Sequence, residues 1–73
     1  MYDLNKLKGR IVEKFGTQGS FAQAMGMSGR TLSLKLDNKV DWKQTEIVKA
    51  CKLLEIPDDK IADYFFKLKV QMN

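Results

Sequence analysis

The sequence predicts an all-α domain of five helices, and three observations carry that prediction. Apolar residues recur at three- and four-residue steps along most of the chain, the spacing of helices with one buried stripe. Glycines and small polar residues fall where the stripes break, at Gly16-Thr17, Gly26-Met27-Ser28 and Asp37-Asn38-Lys39. Seventy-three residues, 44% hydrophobic and 30% charged, suit one globular domain over residues 1–73 with a core only just large enough to be stable alone.

The first helix begins near Leu4, where Asp3 is placed to cap it. Leu4, Leu7, Ile11 and Phe15 form its core side, and Val12 is expected to broaden that stripe. Lys6, Arg10 and Lys14 stand four residues apart as a basic line, which reads either as an approach to phosphates or as a solvated face. Gly9 interrupts this helix, and close packing is the one reason the sequence suggests. Gly16 ends the helix and Thr17 caps the next.

The stretch Gln18 to Leu36, QGSFAQAMGMSGRTLSLKL, reads as two short helices joined by a tight turn at Gly26-Met27-Ser28. Phe21, Ala22 and Met25 share one buried stripe, and Leu32 and Leu36 repeat it one helix later. Gly26 can take the left-handed conformation that stops the first of these helices, and the Ser28 hydroxyl can cap the second.

Trp42 precedes a fourth helix with Ile47, Val48, Cys51 and Leu54 on its expected buried side and Glu46 in its first turn, where a negative charge suits the helix dipole. Trp42 and Ile47 have the spacing of a hydrophobic staple, which favours packing over base stacking for the indole. Lys43 between them is a poor cap, and Asp41 with Gln44 offers another start. Pro57-Asp58-Asp59 opens a fifth helix, whose stripe of Ile61, Tyr64, Phe65 and Leu68 is expected to close the core over the first helix. From Phe66 to Asn73 apolar and polar residues alternate, the pattern of a half-buried strand whose natural partner is a second copy or another protein, with a helix fraying into a disordered tail as the alternative.

Thirteen Lys and Arg against nine Asp and Glu give a net charge of +4, which permits a nucleic-acid partner without requiring one. With no His and a single cysteine, there is no zinc site of usual composition and no internal disulfide, and Cys51 reads as a buried helix residue. Asp58, Asp59 and Asp63 read as helix-start charges before a metal site. No base and nucleophile pair and no phosphate-cradling glycine loop is present, so no enzyme and no cofactor is expected. No apolar run approaches the ~20 residues that span a membrane, and a cytoplasmic protein is expected.

The order Phe21, Ala22, Gly26, Met27, Ser28 and Thr31-Leu32-Ser33 resembles the helix-turn-helix of phage repressors and Cro-like regulators. The Gln18-x-x-Phe21-Ala22 opening and the run from Leu32 to Lys39 resemble, more narrowly, small Cro-like proteins of temperate phages of Gram-positive bacteria, some of which modulate the phage repressor. The resemblance implies a phage-repressor-like helix-turn-helix domain, with the motif at residues 18–36 and a tail at 67–73. It also implies double-stranded operator DNA as partner and a homodimer on a two-fold operator.

If Leu32 and Leu36 face inward, Ser28, Gly29, Arg30, Ser33 and Leu34 face base edges or a protein partner. Arg30 is the strongest reader, because a guanidinium binds guanine O6 and N7 together. Gln18, Lys35, Asn38, Lys39 and Lys43 are the candidates for phosphate contacts, Gln18 through the resemblance. Asp37 and Asp41 interleave with these cations and reduce their field.

Two functions follow. The leading one is a Cro-like DNA-binding transcriptional regulator of a lysis/lysogeny switch. The alternative is an antirepressor or modulator of repression that binds the phage repressor directly, through the Arg30, Ser33 and Leu34 face or through the tail. A sparse reading surface, with a glycine and an apolar Leu, and the alternating tail favour the alternative more than the net charge does.

Overall fold

The structure, a computed structural model, describes residues 1–70. Five α-helices follow one another, α1 (Asn5–Phe15), α2 (Gln18–Met25), α3 (Gly29–Leu36), α4 (Gln44–Leu54) and α5 (Ile61–Phe65), with a 3-10 turn at Asp58–Lys60 leading into the last. The all-α, five-helix architecture expected from the sequence is the one observed.

The core is drawn from all five helices. Leu7 and Ile11 of α1, Phe21 of α2, Leu32 of α3 and Leu54 of α4 are sealed from solvent, and Phe65 of α5 closes the set. Phe15 meets Phe21 edge to face at 5.2 Å between ring centroids, which ties the end of α1 to the start of α2. Cys51 is buried on α4, as its place in the stripe suggests.

The helix boundaries follow local chemistry. Thr17 Oγ1 accepts the Ser20 N–H at 3.1 Å, and Ser28 Oγ accepts the Thr31 N–H at 3.1 Å, so α2 and α3 each start on a hydroxyl cap. Gly26 ends α2 at φ 75°, ψ 27°, where a Cβ would be strained. Leu4 holds the cap position of α1, but the Asp3 carboxylate still accepts the Asn5 N–H at 3.0 Å. At α4 the cap is Lys43, and Glu46 Oε1 reaches back to accept its backbone N–H at 2.8 Å, which replaces the start expected from Asp41 and Gln44.

Three expected core positions are not in the core. Val12 is 52% exposed and Val48 is 49% exposed, because each lies at the margin of a stripe that α1 and α4 bury only along its centre line. Leu68 is 65% exposed, because α5 stops at Phe65 and the chain leaves the helical path before the stripe reaches it.

The tail instead turns back along the N-terminus. Leu68 forms an antiparallel bridge with Tyr2; Asp3 N–H donates to the Lys67 carbonyl at 2.6 Å and Lys69 N–H to the Met1 carbonyl at 3.1 Å. The expected half-buried strand is reduced to this one bridge: its residues are exposed, and its partner is the chain's own N-terminus, over residues 1–3 and 67–69, in place of the expected second copy or other protein. Its continuation through Gln71, Met72 and Asn73 lies outside the described residues. Among the described residues no helix is long and apolar enough to cross a membrane.

Candidate functional site

The turn between α2 and α3 presents part of the expected reading surface. Gln18, Gly29, Arg30 and Ser33 are exposed, and Leu34 is half-buried where full exposure was expected. Among the described residues Arg30 has no ion-pair partner. Ser28 is exposed but occupied, since its hydroxyl caps α3 and donates to Thr31 Oγ1 at 2.9 Å. Arg30, Ser33 and Gln18 are therefore the side chains of this face with uncommitted polar groups.

The phosphate set divides. Lys39 and Lys43 are exposed. Lys35 is not: its side chain is 3% exposed, and Nζ donates to the Asp41 carbonyl at 2.9 Å while pairing with Glu46 Oε1 at 2.9 Å. Its position between Leu32 and Leu36 puts it on the inner side of α3, facing the first turn of α4. Asn38 is also engaged. It adopts φ 62°, its Nδ2 donates to the Tyr2 carbonyl at 2.9 Å, and its Oδ1 accepts the Tyr2 N–H at 3.1 Å.

The basic line on α1 is structural as well. Arg10 Nε donates to the Leu54 carbonyl at 2.9 Å and Nη2 to the Glu55 carbonyl at 3.3 Å, satisfying the last carbonyls of α4. Lys14 pairs with the Glu55 carboxylate at 2.6 Å, and Lys6 lies 4.8 Å from the centre of the Tyr64 ring.

A feature that helix periodicity did not reveal lies beside the C-terminal end of α3. Tyr2, Leu4, Val40, Trp42, Ile47, Phe65 and Phe66 line an open cleft of about 310 Å³, with Lys35, Asn38 and Asp41 as its polar members. Trp42 packs edge to face on Phe65 at 5.2 Å, as a core contact, and Tyr2 packs edge to face on Phe66 at 5.6 Å. Trp42 Nε1 is buried without a hydrogen-bond partner. Tyr2, Val40, Phe66 and Leu68 are each between 39% and 65% exposed, which leaves an apolar rim of four residues in a small domain. The signals for it in the sequence were the alternation from Phe66 onward and an aromatic residue at position 2.

Burial alone would raise the Glu46 carboxyl, but the Lys43 backbone N–H and the Lys35 ammonium outweigh it and hold the pKa below its ordinary value. On α4, burial first and then the Asp58 carboxylate push the Cys51 thiol up, away from the reactive thiolate.

The fold and this surface define a small all-α domain of the kind built on two short helices at a tight turn, with an apolar cleft between its terminal ribbon and the α3–α4 connection. The chain belongs to the family described as "Protein of unknown function (DUF739)", whose model matches residues 1–68. It is similar to the modulator of repression (MOR) of the temperate bacteriophage TP901-1 from Lactococcus lactis, known from a solution structure. The two are 54% identical, over 96% of this chain and 95% of that one, with a TM-score of 0.80. Among curated proteins none matches.

Proposed function

We propose that this chain is a modulator of repression in the genetic switch of a temperate phage, acting inside the host cell by binding the phage repressor protein. The observation that carries this reading is the 54% identity to a phage modulator of repression over nearly the whole of both chains. It favours the alternative read from the sequence over the leading one, a stand-alone Cro-like DNA reader.

Local geometry supports the same preference. Two of the five expected phosphate contacts, Lys35 and Asn38, are committed within the domain, and Ser28 is spent on a helix cap. The apolar rim of Tyr2, Val40, Phe66 and Leu68 is suited to a protein surface, where aromatic residues contribute most of the binding energy, and not to a phosphate backbone. Arg30, Ser33, Lys39 and Lys43 remain exposed, so weak contact with operator DNA is the second reading. A homodimer on a two-fold operator belongs to that second reading.

The test is fluorescence anisotropy of labelled operator DNA, titrated with the chain, with the repressor, and with both, at low and physiological salt. The proposal expects little binding by the chain alone and a changed repressor titration in its presence. Tight, sequence-dependent binding by the chain alone, lost in Arg30→Ala, is the result that restores the DNA reader.

A further inference from the structure

The terminal ribbon has one closed edge and one open edge. Its two bonds run from Asp3 to Lys67 and from Lys69 to Met1, so Tyr2 and Leu68 face each other as a non-hydrogen-bonded pair. In that register the N–H and C=O of the facing residues themselves point away from the ribbon. On the Tyr2 side both groups are taken by the Asn38 amide, which acts in place of a neighbouring strand. On the Leu68 side, neither group has a partner among the described residues. Alternation about the Tyr2–Leu68 bridge puts Leu68 and Val70 on the Tyr2 face and Lys67 and Lys69 on the other, and Phe66, the cap of α5, joins the Tyr2 face through its edge-to-face contact with that ring.

We propose that this open edge takes an extended segment of a protein partner in which apolar and acidic residues alternate, an inference that rests on the partner reading above. Main-chain bonding at Leu68 sets the register. The segment's apolar side chains then cover Phe66, Leu68 and Val70, exposed by 46%, 65% and 82%, and its acidic ones lie beside Lys67 and Lys69. Asp3 opposes Lys67 across the ribbon, but its carboxylate accepts the Asn5 N–H and forms no ion pair among the described residues, so both lysines are open to acidic side chains. A second copy of the chain fits the edge less well. Antiparallel pairing about Leu68 would set Lys67 of each chain directly against Lys69 of the other, and like charges in that position are destabilising.

The test uses two labelled peptides as probes, one alternating Glu and Val over seven residues and one alternating Lys and Val. Binding is read by anisotropy, and protection of the Leu68 amide by hydrogen exchange. The acidic peptide is expected to bind about tenfold tighter than the basic one, from two cross-strand charge pairs. Lys67→Glu with Lys69→Glu is expected to reverse that preference. Leu68→Pro removes the outward N–H while leaving both ribbon bonds, and is expected to abolish peptide binding with the helical circular dichroism unchanged.

Equal binding of both peptides, no binding of either, or no reversal in the double variant overturns the proposal. Self-association of the free chain that Leu68→Pro abolishes overturns it in favour of a second copy. Undiminished repressor binding by Leu68→Pro overturns the edge and leaves the partner reading standing. Failure of the wild-type chain to bind repressor at all removes that reading, and the edge proposal with it.

Discussion

Lys35 of α3 and Glu46 of α4 form an ion pair at 2.9 Å in which the lysine is almost wholly buried. The pair joins the turn-flanked helix α3 to the first turn of α4, and the same carboxylate oxygen accepts the backbone N–H of Lys43. One acid thus neutralises a buried cation and completes a helix start.

Glu46→Ala is expected to destabilise the domain by about 3 kcal/mol in urea unfolding, the cost of leaving a buried charge without its partner. Lys35→Met combined with Glu46→Ala, which removes the buried cation and leaves the cap unmade, is expected to recover most of that loss. A double variant no more stable than Glu46→Ala would show that the cost lies in the cap and not in the charge.

The same pair sets an acid limit. Glu46 is held below its ordinary pKa of 4.5 in the folded chain, so its contribution is complete above that value and is lost as pH falls through the lower, folded one. Unfolding free energy is expected to fall below pH 4.5 in the wild type and to fall less steeply in Glu46→Gln.

Asn38 is expected to hold the terminal ribbon in place. Its left-handed backbone suits Gly as well as Asn, so Asn38→Gly keeps the turn and removes both bonds to Tyr2. Faster hydrogen exchange at Tyr2, with a loss of about 1 kcal/mol per bond at most, is the expected outcome. Asn38→Ala should cost more, because it adds backbone strain.

Gly9 has nothing within 4 Å of where a Cβ would stand. Close packing therefore does not account for it, and Gly9→Ala is expected to stabilise α1 by about 0.5–1 kcal/mol in thermal or urea unfolding. A destabilised variant would contradict the open space seen beside it.

Phe66 is the more exposed of the two aromatic residues on the apolar rim. Phe66→Ala is expected to weaken repressor binding by about 2 kcal/mol, the scale of an interface anchor, with little change in unfolding midpoint. Arg30→Ala is expected to weaken it less.

The helical frame was legible because each boundary is written in local chemistry. Thr17, Ser28 and Gly26 perform the roles that their residue types announce, and Leu7, Ile11, Phe21, Leu32 and Leu54 are buried as their spacing requires. The candidate site was less legible, because solvation of a polar group depends on what the chain brings against it from a distance. Lys35 sits one position from Leu36, and nothing nearby in sequence tells that Glu46 will meet it. Asn38 finds Tyr2 across thirty-six positions, and Arg10 finds Leu54 across forty-four. The alternation in the tail suggested a half-buried strand, but only the single Tyr2–Leu68 bridge forms and its residues stay exposed, and that the bridge is made with the chain's own first residues is a tertiary fact.

The central claim is that this chain works on a protein and not on DNA. Isothermal titration of the purified chain into the phage's repressor, with no DNA present, tests it most directly. The account predicts a saturable complex of fixed stoichiometry that Phe66→Ala weakens. No heat of binding to the repressor, together with tight and salt-sensitive binding of operator DNA by the chain alone, would contradict it.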